Sequence, residues 1–149
     1  SKQLDDEDVK YLAQLPYVCA LPQHNALVVH AGFVPGKPID QQAHGDMVRM
    51  RNVALLPAIG ADGDLVFEWV ASERDEIGVA WASVWRGPHV FFGHDAIRKL
   101  QQHEHATGLD TGCCYGFKLT ACVLDLQKRG YFKDIRHVLA FAEYEKPGK

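Results

Sequence analysis

Apolar and polar positions along this chain change period several times. Val9, Leu12 and Leu15 recur every third residue behind an acidic lead, and Pro16 follows. That spacing predicts a helix over "LDDEDVKYLAQLP", with acids at its positive end and Asp5 and Asp8 at capping-box distance. The runs then shorten. "YVCAL" (17–21) and "ALVVH" (26–30) are strand-like, and the turn "PQHN" between them predicts a β-hairpin. "VPGKPIDQQAHGD" is rich in Pro and Gly and predicts a surface loop. "HGDMVRMRNVALL" (44–56) predicts a short helix, and 65–69 predicts a strand after the turn "IGADGD". In "IGVAWASVWRGP" the period does not decide, although Trp81 and Trp85 lie one helical turn apart. "HVFFGH" is again an apolar β run, and a further strand is expected over 119–126. The tail, 135–144, fits helix or strand. Strands are expected to dominate the middle, with helices flanking them.

Composition narrows the class. With 149 residues, 47% hydrophobic and 23% charged, the chain is a globular domain that can bury a core. The net charge of −3 gives no overall attraction to nucleic acid or membrane. No apolar run approaches a membrane span, and the acidic start "SKQLDDEDVK" lacks signal-peptide order, so a cytoplasmic location is expected. The four cysteines (19, 113, 114 and 122) contain no C-x-x-C and are expected to be reduced and mostly buried.

Candidate chemistry starts with a repeated grammar. "ALVVHAG" and "HVFFGHD" are both apolar strands that end in a histidine beside a glycine. In open α/β sheets, ligands bind just beyond the carboxyl ends of strands, so adjacent strand ends can bring His30 and His94 together. Neutral imidazole is the commonest metal ligand. Each histidine could equally be a strand-terminal residue bonded to backbone. Two histidines also do not complete a site, since zinc takes about four protein ligands, or three plus water.

"VVHAGFVPG", "VFFGHDA" and "GLDTGCCYGFKLTACVL", with "MRN" at 50–52 and "WASVWRGP" at 81–88, resemble the later sequence blocks of the calcineurin-like metallophosphoesterases. The resemblance is closest to the diadenosine tetraphosphatase (ApaH-like) phosphatases of the phosphoprotein phosphatase group. It covers about residues 4–126, and its specificity lies in the order and spacing of the blocks. It implies a four-layer α/β/β/α sandwich with mixed sheets, this chain supplying the C-terminal half of one domain. It implies two divalent ions (Mn, Fe, Zn, Co or Mg), with His30 and His94 as ligands to one of them. Ala96 stands where many relatives carry a further histidine ligand, as in the phosphoprotein phosphatase branch.

The family's earlier blocks, G-D-x-H-G, G-D-x-x-D-R-G and G-N-H-[DE], have no counterpart here. The remaining ligands and the general-acid histidine are therefore expected upstream, and this chain by itself is expected to be inactive. Arg49 and Arg51 would face different ways on a helix, so one could meet phosphate. The resemblance favours Arg51 with Asn52. Arg86 is a phosphate contact or a rim residue, and Tyr115 a phosphate partner or ordinary packing. Asp110 reads as a turn residue, and Trp69, Trp81 and Trp85 read as core. The implied reaction is metal-dependent hydrolysis of a phosphoanhydride or phosphomonoester through an activated water. A dinucleoside polyphosphate, a phosphoprotein or capped RNA is the implied substrate, and the missing N-terminal half is a partner. The alternative is a non-catalytic binding module that keeps half of the fold.

Overall fold

The computed structural model describes residues 4–125, 127–128, 130 and 132–139. The first helix, α1 (Asp6–Ala13), carries the expected capping box: Asp8 N–H donates to Asp5 Oδ1 at 2.9 Å, and Asp5 N–H donates to Asp8 Oδ2 at 3.3 Å. None of its residues is buried, and Val9, Leu12 and Leu15 stay exposed. Next come β1 (Val18–Leu21) and β2 (Ala26–Val29), the predicted antiparallel hairpin, turned by a 3-10 segment and a left-handed Asn25.

Three strands set the architecture. β2, β6 (His89–Phe92) and β8 (Ala106–Gly108) run parallel and adjacent. β1 and β7 (Gln101–Gln102) flank them antiparallel, giving a five-stranded mixed sheet in the order β1-β2-β6-β8-β7. All four residues of β6 are buried, as its unbroken apolar run and central place require. A second sheet, β4-β3-β5, contains β3 (Asn52–Ile59), β4 (Leu65–Ser72) and β5 (Val79–Ala80). β9 (Lys118–Cys122) and β10 (Ile135–Leu139) form a separate antiparallel pair. Two short helices, α2 (His44–Arg49) and α3 (Trp81–Val84), sit between strands rather than flanking them.

Several expectations are corrected. The helix expected over 44–56 stops at Arg49, and β3 starts at Asn52. Pro57 is the physical reason, since it would break a helix continued through 55–59. In β3 it pairs opposite Phe67, at a point where β5 has already ended and no second ladder needs its missing N–H. The strand expected at 65–69 runs on to Ser72. The strand expected at 119–126 spans Lys118–Cys122, and Leu126 lies outside the described residues. The tail is a strand over Ile135–Leu139, while 140–144 lie outside the described residues. The cysteines are free but not mostly buried: Cys19 and Cys114 are exposed, and Cys113 and Cys122 are intermediate. Cys19 sits on the edge strand β1, and Cys113 and Cys114 in a surface 3-10 turn, where nothing covers them fully.

The core lies between the five-stranded sheet and the α2–α3 region. Phe33, Met50, Val53, Trp81, Trp85, Val90 and Phe92 are its large members, so two of the three tryptophans are core as expected, with Trp69 half-buried against it. Trp81 Nε1 donates to Ala31 O at 3.0 Å, and the indole lies flush on Gly32, where a Cβ would meet it at 2.4 Å. Only glycine allows that approach. The contact anchors the segment immediately after His30.

Candidate functional site

Because β2, β6 and β8 are parallel neighbours, their carboxyl ends open at one edge of the sheet. His30 is the first residue past β2, and His94 the second past β6. Gly93 N–H donates to His30 O at 2.8 Å, which locks the two strand ends together. The imidazoles converge, with ring centroids 5.1 Å apart and planes inclined by 57°. His94 has a left-handed backbone, φ 64°, a costly conformation for a non-glycine residue. Such strain is characteristic of residues whose side chain is held in place for a purpose.

The His94 ring is oriented by its own hydrogen bond. Its Nε2–H donates to Arg49 O at 3.1 Å, so Nδ1 carries the lone pair of the neutral ring. Its pKa is lowered, first by burial, then by the electrostatic influence of Arg51 and of the neighbouring His30. The Arg49 carbonyl and Asp95 oppose the shift. Two imidazoles at this spacing, each binding in its neutral form, suit joint ligation of one ion at about 2.1 Å. Among the described residues no group of three or more His, Cys, Asp or Glu converges as metal ligands, so the pair offers two donors where a closed tetrahedral site needs about four.

Behind the pair lies a polar network. Asn52, 1% exposed, donates through Nδ2 to Asp75 O and Ile77 O, both at 2.9 Å, and its Oδ1 accepts from Arg98 Nη2 at 2.8 Å. Arg98 also donates to buried Asp95 at 2.6 Å and lies 3.5 Å from Asp75. Arg51 donates through Nη1 to Glu73 O at 3.0 Å, with its Nε 4.0 Å from Asp75 Oδ1. Arg51 therefore stands within electrostatic reach of His94, while Arg49 turns outward to an exposed pair with Glu73 at 3.0 Å. Asn52 has its hydrogen-bonding groups committed to protein and is placed behind the site, tying β3 to the 73–77 loop.

The other predicted contacts lie apart from the histidines in their bonding. The Arg86 guanidinium donates to Ser83 O at 3.2 Å and Trp85 O at 2.9 Å, closing the end of α3. Tyr115 is 72% exposed at the end of a 3-10 turn. That turn belongs to the loop that leaves β8, whose Leu109 N–H donates to Phe92 O at 2.8 Å. Asp110 is a turn residue as expected, accepting from Gly112 N–H at 3.0 Å. Arg98 was not singled out by the sequence. The Asp95–Arg98 spacing beside the G-H block was its one available signal.

No family model matches the chain. Over 74 residues it is 38% identical to the symmetrical bis(5'-nucleosyl)-tetraphosphatase of Ralstonia nicotianae, a match covering 46% of this chain and 26% of that protein. Its fold superposes on the crystal structure of a "putative diadenosine tetraphosphatase" with a TM-score of 0.71 and 36% identity, covering 91% of this chain and 55% of that one. The chain thus spans little more than half the length of that structure and about a quarter of the curated relative. In sequence and in fold the chain is thus similar to diadenosine tetraphosphatases, of whose length it spans a part.

Proposed function

We propose that the protein is a metal-dependent hydrolase of phosphoanhydride bonds, with dinucleoside polyphosphates as its substrate class, and that this chain is the C-terminal part of its catalytic domain. The observation that carries the reading is the His30–His94 pair: two imidazoles 5.1 Å apart at the ends of adjacent parallel strands, with Arg51 beside them. The names of its relatives support the substrate class. Apolar side chains left exposed on α1 (Val9, Leu12), just after it (Leu15) and on β2 (Val28) support a larger domain that would cover them.

His30 and His94 would hold one of two divalent ions, with the remaining ligands supplied from outside this chain. Bound there, such ions supply a hydroxide at neutral pH and polarise the phosphoryl group. The Arg49 carbonyl keeps the His94 ring in one tautomer and orientation, the usual task of a metal ligand's outer partner. Arg51 orients a phosphate through its planar fork of donors. Asn52 and Arg98 position rather than bind, because their polar groups hold the 73–77 loop and Asp95.

The test measures metal content and hydrolysis together in the full-length protein. Diadenosine tetraphosphate, capped RNA and an aryl phosphate are supplied with Mn²⁺, Co²⁺ or Mg²⁺. His94→Ala should lose metal and at least about 10–100-fold of turnover on every substrate, the loss typical of outer-partner changes alone. Arg51→Ala should keep its metal and lose turnover unevenly. Undiminished hydrolysis by His94→Ala at limiting metal would overturn the reading and leave a binding module as the better account.

A further inference from the structure

Beyond the histidine pair, the same edge of the sheet carries a second recess. It is a cleft of about 460 Å³ whose lining includes Lys99, Leu100, Phe117, Lys118 and His137. Lys99 lies five residues past His94, in a turn closed by its N–H to Ala96 O at 3.3 Å. Chain length alone keeps its Cα within about 18 Å of that of His94.

Three features give the cleft a definite chemistry. Its apolar element is a flat, accessible ring: Phe117 is 55% exposed, and the Lys99 ammonium lies 5.4 Å from its centroid. The ring rests on backbone, because a Cβ at Gly112 would meet Phe117 Cδ2 at 2.9 Å, and Gly112 itself has φ +74°. Lys99 also holds a left-handed backbone, φ 58°, so its position is imposed rather than relaxed.

The floor is a directed hydrogen-bond chain. Thr111 Oγ1 lies 2.6 Å from Lys118 O, and a carbonyl only accepts, so the Thr111 hydrogen goes there. Thr111 Oγ1 must then accept from Thr120 Oγ1 at 2.6 Å. With its hydrogen committed, Thr120 accepts in turn from His137 Nδ1–H at 2.9 Å. In the neutral ring this leaves Nε2 of His137 as an acceptor.

We propose that this cleft is a nucleotide subsite, in which Phe117 stacks a nucleobase and Lys99 with Lys118 pair with its phosphates. With the Lys99 ammonium drawn from over the ring to a phosphate, Phe117 would present the face that base stacking needs, the two lysines supply the charge, and His137 offers an acceptor for a ring or amino N–H. The proposal rests on the phosphoanhydride hydrolase reading, since it gives the nucleoside end of that substrate a seat at the sheet edge that carries the histidine pair. It makes Phe117 a specificity-determining residue.

The test is equilibrium binding of ADP, adenosine and inorganic pyrophosphate to the metal-stripped full-length protein, read by calorimetry, with hydrolysis measured in parallel. Phe117→Leu keeps apolar bulk without a π face and should weaken ADP about tenfold or more, while Phe117→Trp should retain it. Lys99→Gln should weaken ADP and pyrophosphate and spare adenosine. In hydrolysis, Phe117→Leu should raise KM for diadenosine tetraphosphate and leave an aryl phosphate unchanged. Pyrophosphate bound as tightly as ADP, or ADP binding unaffected in Phe117→Leu, overturns the subsite. Unaffected ADP binding with hydrolysis that still depends on His94 removes the subsite and leaves the hydrolase. Phe117-dependent ADP binding without hydrolysis of any phosphoester removes the hydrolase and leaves the subsite.

Discussion

Acidification should weaken this fold through His89, by an amount that follows from where its ring sits. His89 opens the central strand β6 and is 8% exposed. Its Nε2 lies 2.9 Å from Thr107 Oγ1, and Phe132 stacks on the ring at 4.0 Å between centroids. Burial, and then the charge of His105, lower its pKa from 6.5 to about 4, against an opposing hydrogen bond to the Glu104 carbonyl. Between those values the unfolded chain binds a proton that the folded ring refuses. The contribution is therefore fully present above pH 6.5 and is lost progressively as pH falls towards 4. At about 1.4 kcal/mol per pH unit, the whole interval corresponds to about 3 kcal/mol. Urea unfolding from about pH 7.5 to about pH 4.5 measures it, with His89→Gln as the reference that cannot titrate. The natural protein should lose most of that amount more than the variant does, whatever the variant's absolute stability. His105→Gln should narrow the window by raising the His89 pKa. Parallel profiles for natural protein and His89→Gln would refute the reasoning.

Two further predictions test the frame behind the histidine pair. Asn52→Ala leaves the Asp75 and Ile77 carbonyls and the Arg98 guanidinium without their partner, and should cost about 3–5 kcal/mol in urea unfolding. Gly78→Ala places a methyl 2.1 Å from Val53 O at φ +75°, which should separate β5 from β3 and cost about 2–4 kcal/mol. Gly36→Ala is its control: φ is similar at +77°, but nothing lies within 4 Å, so about 1 kcal/mol should be lost.

What the sequence determined by itself was local or repeated. The capping acids of α1, the hairpin of β1 and β2, the buried run of β6 and the two strand-terminal histidines were legible because each depends on neighbours a few residues apart. The resemblance of ordered blocks to a known family added a fold and a reaction class, and the match to the diadenosine tetraphosphatases agrees with it. Other features depended on partners distant in sequence. Residues 52–56 carry apolar spacing that suits a helix, and pairing with 65–72 made them strand. Asn52 looked like a ligand contact, but Arg98, 46 positions later, and the 73–77 loop claim its polar groups. Cys19 and Cys114 are small apolar side chains by type, and only the edge strand and surface turn that carry them left them exposed. The cleft at Phe117 joins side chains from Lys99 to His137, so no window of sequence could display it. Short-range periodicity fixes how a segment prefers to coil or extend. Which polar groups meet, and which faces stay open, is settled by strand order, because parallel pairing brings 30, 94 and 109 to one edge.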